Sequence, residues 1–217
     1  MRTLLLLGAT GLVGRASLEL ALADPGIECV IAPTRRALSP HPKLINPVLD
    51  FEHLEDRLPD QPIDAVVCAL GTTIRDAGSR EAFRRVDHDF PLRFARYARQ
   101  HGARSFALTS AMGADRRSPI FYSRTKGELE HALRAMAFES LTLVRPGLLG
   151  GSRERRRPME QAAQRVLGAV GRWLPPRWRM VPASAVAATL LDAAHEAIPG
   201  VHVIESARIG SKHRRAR

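Results

Sequence analysis

Along this chain, short apolar runs alternate with stretches whose apolar residues recur at helical spacing, the pattern of repeated βα units and hence of a parallel sheet. Residues 3–7 predict a first strand and 14–23 a helix that stops at Asp24-Pro25-Gly26. Residues 28–32 predict a second strand and 47–49 a short third. Residues 65–70 are apolar throughout, as in a strand covered on both faces. A long helix over about 80–101, interrupted at Pro91, ends at Gly102, a natural C-cap. Residues 105–110 predict a fifth strand, 120–138 mostly helix and 141–144 a sixth strand. Past Gly147 the rhythm loosens into a loop-rich insert at about 148–182, with one helix near 159–171. A helix over 183–196 and a strand over 201–204 close the chain. The expectation is an α/β protein: a doubly wound, mainly parallel sheet of about seven strands with helices on both faces.

A chain of 217 residues suits one such domain with a small appendage and leaves no room for a large second one. Hydrophobic residues at 45% and charged residues at 25% are the balance of an ordinary globular protein. No apolar run approaches the roughly 18 residues of a membrane span. Arg2, Leu4 to Leu7 and Ala21-Leu22-Ala23 loosely mimic a secretory signal, but glycines at 8, 11 and 14 and the charges of Arg15 and Glu19 break it. Cys29 and Cys68 both fall in predicted strands, as small buried hydrophobes do, which points to a reducing, cytoplasmic compartment without disulfide or metal site.

The net charge of +11 is unevenly spread. Residues 151–217 hold 13 basic and 5 acidic groups, a net +8, against 20 and 17 before them. The excess lies in Arg153-Glu154-Arg155-Arg156-Arg157 and Lys212-His213-Arg214-Arg215-Ala216-Arg217. Such runs can attract nucleic acid or acidic lipid. Here no aromatic residues interleave them and arginines outnumber lysines 30 to 3, so a solvated loop and a frayed tail are expected, with no specific nucleic-acid partner.

Candidate chemistry begins at Gly8-Ala9-Thr10-Gly11-Leu12-Val13-Gly14, which follows a strand and opens a helix. One glycine permits the tight turn, one lets backbone approach a pyrophosphate, and one lets helix pack on sheet. The helix N-terminus then offers free N–H groups to phosphate. A nicotinamide dinucleotide is the expected ligand. At the end of the second strand, Ala32-Pro33-Thr34-Arg35-Arg36 lacks the carboxylate that would bind a ribose 2′-hydroxyl and supplies two guanidiniums that suit a 2′-phosphate, so NADP(H) is favoured over NAD(H). Asp50 is either an adenine contact or the N-terminal acid of a helix over 51–58.

Tyr122 and Lys126 stand four apart on a predicted helix and so share a face, while Ser110 ends the fifth strand at the carboxyl edge of the sheet. A lysine cation near a phenol favours the phenolate, making Tyr122 a candidate acid/base. Ser110 could hold a substrate oxygen.

With these motifs the chain resembles the short-chain dehydrogenase/reductases, and within them the atypical branch typified by Tat-interacting-protein-like oxidoreductases. Nearly the whole chain takes part, through residues 8–14, Leu70-Gly71-Thr72-Thr73, Phe83-Arg84-Arg85-Val86-Asp87, Thr109-Ser110-Ala111-Met112-Gly113-Ala114-Asp115, Tyr122-Ser123-Arg124-Thr125-Lys126-Gly127-Glu128 and Val144-Arg145-Pro146-Gly147. The resemblance implies a seven-stranded Rossmann sheet with Ser110, Tyr122 and Lys126 as the family's catalytic serine, tyrosine and lysine. It also implies that Leu70, Gly71 and Thr72 line the cofactor ribose and that Pro146, Gly147 and Leu148 pass the nicotinamide. No asparagine matches the family's fourth catalytic residue; Asp87 and His88 stand nearby instead. The expected function is an NADP(H)-dependent oxidoreductase acting on a small carbonyl or hydroxyl substrate, the alternative being a redox-sensing NADP(H)-binding regulator, as several members of the branch look to be. Trp173 and Trp178, flanking Pro175-Pro176, suggest a lid or substrate-pocket wall, against an ordinary packing loop.

Overall fold

The computed structural model describes residues 1, 3–53, 58–150 and 180–211. Seven strands form one sheet: β1 (Thr3–Leu7), β2 (Cys29–Ile31), β3 (Leu44–Ile45), β4 (Ala65–Cys68), β5 (Ser105–Thr109), β6 (Ser140–Arg145) and β9 (Gly200–Glu205). Their spatial order is β3-β2-β1-β4-β5-β6-β9, and every neighbouring pair is parallel. A separate parallel pair joins β7 (Leu149–Gly150) to β8 (Val181–Pro182), bringing together the two ends of the expected insert.

Leucines at four successive positions of β1 explain how one short strand serves two cores. Leu5 and Leu7 face one layer with Phe94, Ala98, Leu129 and Leu133, from α4 (Phe90–Gln100) and α5 (Phe121–Ala135). Leu4 and Leu6 face the other with Val13, Ala21, Ala187 and Leu190, from α1 (Leu12–Ala23) and α6 (Ala183–Glu196). Two short helices, α2 (Ile74–Ala77) and α3 (Arg80–Arg84), begin with caps in which Thr73 and Ser79 accept from backbone N–H groups. The doubly wound sheet is therefore as expected.

Three local expectations are corrected. The third strand lies at Leu44–Ile45, where Val30 and Ala32 donate to Lys43 and Ile45, and the expected stretch at 47–49 contributes only an isolated bridge between Thr34 and Val48. The expected helix at 51–58 opens as a 3₁₀ turn, Phe51–His53, and residues 54–57 lie outside the described ones. The helix over 80–101 is broken not at Pro91 but before it, by a π turn at Arg85–Asp89 in which Phe90 N donates to Arg85 O. Proline cannot donate to the carbonyl four residues back, and widening the preceding turn absorbs that loss. The helix expected at 159–171, the basic runs at 153–157 and 212–217, and Trp173 and Trp178 also lie outside the described residues.

Candidate active site

The sheet order reverses between β1 and β4, and the crevice at their carboxyl ends is where an open α/β sheet receives ligands. Gly8, at φ +85°, follows β1; a Cβ there would lie 2.6 Å from Ala69 O. A Cβ on Gly14 would lie 1.9 Å from Gly8 O, so only glycine lets α1 approach the turn this closely. Gly11 caps α1 without a side-chain bond, and no acidic residue occupies the first turn. The opening N–H groups of the helix are left for an anion.

A cavity of about 470 Å³ opens over this turn. Of the expected cofactor contacts, Gly8, Thr10, Gly11, Thr34, Arg35, Asp50, Leu70, Gly71 and Thr72 line it. Leu12, Val13, Gly14, Arg36, Pro146, Gly147 and Leu148 do not. Val13 and Gly14 are buried as packing residues of α1. Thr34 is also buried, its hydroxyl donating to Arg36 O at 2.6 Å and accepting from Asn46 at 2.8 Å; these bonds shape the loop that carries Arg35. Glu52, Asp76 and Arg85 line the cavity as well, and sequence reasoning missed them; Arg85 pairs with Glu52 at 3.3 Å.

The second group lies deeper along the same edge. Lys126 Nζ stands 2.7 Å from Asp87 Oδ1, with both side chains almost fully buried. Burial works against the lysine's charge, but the Asp87 carboxylate and the neighbouring Tyr122 outweigh it and hold the ammonium above its ordinary pKa. A methyl group on Gly71 would sit 3.9 Å from Lys126 Nζ, so the lysine lies directly behind the cavity wall. Tyr122, one turn earlier on α5, is partly exposed and stacks obliquely on Phe83 at 5.6 Å. Cys68, at the end of β4, is a free thiol pushed up to about 12 by burial.

Ser110 follows β5 and is buried, and its hydroxyl donates to Glu130 Oε1 at 2.5 Å. Arg145 grips the same carboxylate through Nε at 2.9 Å and Nη2 at 2.6 Å, and reaches Glu205 at 3.1 Å. These partnerships favour the guanidinium and raise its pKa, the Glu130 hydrogen bond foremost. Glu130 was overlooked although a signal existed: Tyr122, Lys126 and Glu130 repeat at four-residue spacing and so share one face of α5. Arg145 anchors the strand end from which Pro146, Gly147 and Leu148 depart, and Gly147 N donates to Ser206 at 3.1 Å.

Residues 4–171 match the model of the NAD dependent epimerase/dehydratase family. The chain belongs to that family. It is 37% identical over 180 residues to protein fmp52, mitochondrial, of Emericella nidulans, covering 79% of this chain and 77% of that one. It is 35% identical over 182 residues to protein HTATIP2 of Rattus norvegicus, covering 82% and 73%. A short-chain dehydrogenase/reductase oxidoreductase from Burkholderia thailandensis shares the fold, with a TM-score of 0.64 and 22% identity over 94% of this chain and 91% of its own. The resemblance to atypical short-chain dehydrogenase/reductases thus holds, and the family is one that binds a nicotinamide dinucleotide.

The relatives correct one expectation. The name of the Emericella nidulans protein places it in mitochondria, which points away from a cytoplasmic location. Cysteines without a disulfide, Cys68 buried and Cys29 partly so, do not single out the cytoplasm.

Proposed function

We propose that this family member is an NADP(H)-dependent oxidoreductase acting on a small carbonyl or hydroxyl compound, with Tyr122 as its proton donor and acceptor. The observation that carries this reading is the shared wall at Gly71, with the cofactor-sized cavity on one side and Lys126 immediately behind it. Arg35 on the cavity lining, with no carboxylate at the end of β2, supports NADP(H) over NAD(H). The bound dinucleotide supplies or accepts the hydride. In reduction the Tyr122 phenol gives its proton to the substrate oxygen, and in oxidation it takes that proton back. Lys126 sets a positive charge beside the phenol, and Ser110 holds the substrate oxygen once its hydroxyl turns from Glu130 to the substrate. A small-molecule substrate is the partner this chemistry requires.

One observation favours a second reading, a redox-sensing NADP(H)-binding regulator. The single proton of the Ser110 hydroxyl is directed to Glu130, so it is not available to a substrate carbonyl. A panel of aldehydes, ketones and alcohols assayed with NADPH or NADP⁺ separates the two. The enzyme reading expects turnover that Tyr122→Phe lowers on the order of 10²–10⁴-fold. Tight NADPH binding with no turnover on any member of the panel would favour the regulator.

A further inference from the structure

We propose that Asp87 is a positioning residue of the cofactor site, its two carboxylate oxygens clamping Lys126 and the backbone at Thr72 so that a fixed cation stands behind the Gly71 wall. The inference rests on the reading that a dinucleotide occupies the cavity this wall bounds. Oδ1 faces Lys126 Nζ at 2.7 Å, and Oδ2 accepts from Thr72 N at 2.8 Å. Asp87 is 1% exposed and Lys126 4%. One side chain therefore ties together two elements that line or back the cavity, the loop after β4 and the middle of α5.

The sequence origin of the clamp is Pro91. Its missing N–H accompanies the π turn at Arg85–Asp89, and that turn carries Asp87 among its residues as the buried one. A carboxylate buried this completely is stable only when partnered, and so is the ammonium facing it. Among the described residues, the ionisable groups around Lys126 are Asp87 from the π turn, Tyr122 on its own helix and Cys68 from β4. The Cys68 thiol stays neutral at physiological pH, because burial pushes it up to about 12. Asp87 is accordingly the carboxylate that keeps Lys126 charged. Without it the burial of the lysine is unopposed by a full negative charge, and its pKa falls.

The chain holds only three lysines, Lys43, Lys126 and Lys212, so carbon-13 labelling of lysine gives a side-chain NMR spectrum simple enough to follow each through a pH titration. Loss of one signal in Lys126→Arg assigns it. The wild-type Lys126 signal is expected to stay that of the ammonium up to about pH 10, near the ordinary lysine value. In Asp87→Asn the midpoint is expected to move down by at least about one pH unit, and Asp87→Glu to restore part of that fall. NADPH at pH 7 should shift the wild-type signal, and NADPH affinity in Asp87→Asn should decline as pH rises through the new midpoint while the wild type stays flat.

Equal midpoints in the wild type and Asp87→Asn would overturn the clamp. So would a wild-type Lys126 that titrates well below pH 10, an arm that decides the matter even if the variant does not fold. NADPH binding that leaves the Lys126 signal unmoved would overturn the positioning role while the dinucleotide reading stands. Absence of any NADPH binding by the wild type would instead overturn the reading under Proposed function, and the positioning role with it.

Discussion

The turn at residues 8–14 and the cluster of Ser110, Tyr122 and Lys126 meet at one sheet edge but are held by different means. The turn is a backbone structure. It depends on the absence of side chains at Gly8 and Gly14, where a Cβ would come within 2.6 Å and 1.9 Å of carbonyl oxygens. The cluster is a side-chain structure. Two of its members are fixed by buried carboxylates, Lys126 by Asp87 and Ser110 by Glu130, and Glu130 is in turn fixed by Arg145. The first can fail only by steric intrusion, whereas the second can fail by loss of one charge.

The largest expected effect comes from intrusion. Gly14→Ala should destabilise the fold by at least about 3 kcal/mol, at or beyond the upper end of ordinary overpacking, because backbone on both sides cannot yield. A thermal melt should fall by about 10 °C, and NADPH binding should be lost in calorimetry. A variant that melts and binds like the parent would show that the turn is looser than described.

Next comes the loss of a charge. Glu130→Leu leaves Arg145 and Ser110 without their shared acceptor, and removing one partner of a buried pair costs about 3–5 kcal/mol. Arg145 retains Glu205 and some solvent, so about 2–3 kcal/mol is expected by denaturant unfolding, with NADPH affinity nearly unchanged. Loss of cofactor binding in this variant would merge the two regions into one unit.

The smallest effect lies outside physiological pH. The folded-state pKa of Lys126 is raised, so the stability it contributes is complete below the unfolded lysine value of about pH 10.5 and is lost as pH rises through the folded one. Unfolding midpoints followed from pH 8 to 11 should drop more steeply at the alkaline end for the parent than for Asp87→Asn. Parallel curves would remove the ion pair from the account of stability.

This contrast also explains what the sequence made legible. The glycine spacing between a strand and a helix encodes the turn locally, and the apolar runs of β1, β4, β5 and β6 encode the sheet, so both could be anticipated. Tyr122 and Lys126 could be paired because four-residue spacing on a helix is itself local. The groups that fix them were less legible, since Asp87 and Lys126 are 39 residues apart, Ser110 and Glu130 are 20 apart, and Arg145 and Glu205 are 60 apart. Such pairings follow from strand order rather than from any window of sequence. The third strand was misplaced for a related reason. Leu44 and Ile45 are too short a run to stand out by period, and the edge position leaves Ile45 exposed.

The structure also separates two arginines that sequence alone treated together. Arg35 lines the cavity, while Arg36 does not and meets the Thr34 hydroxyl through its backbone carbonyl. Calorimetric titration of the wild type, Arg35→Ala and Arg36→Ala with NADPH and NADH is the direct test of a dinucleotide site selective for the 2′-phosphate. The account predicts tighter wild-type binding of NADPH than of NADH. Arg35→Ala should weaken NADPH by roughly 10- to 100-fold, the worth of a charge-assisted hydrogen bond, and leave NADH unchanged, while Arg36→Ala does much less. Failure of the wild type to bind either nucleotide, or an equal fall for both in Arg35→Ala, would contradict it.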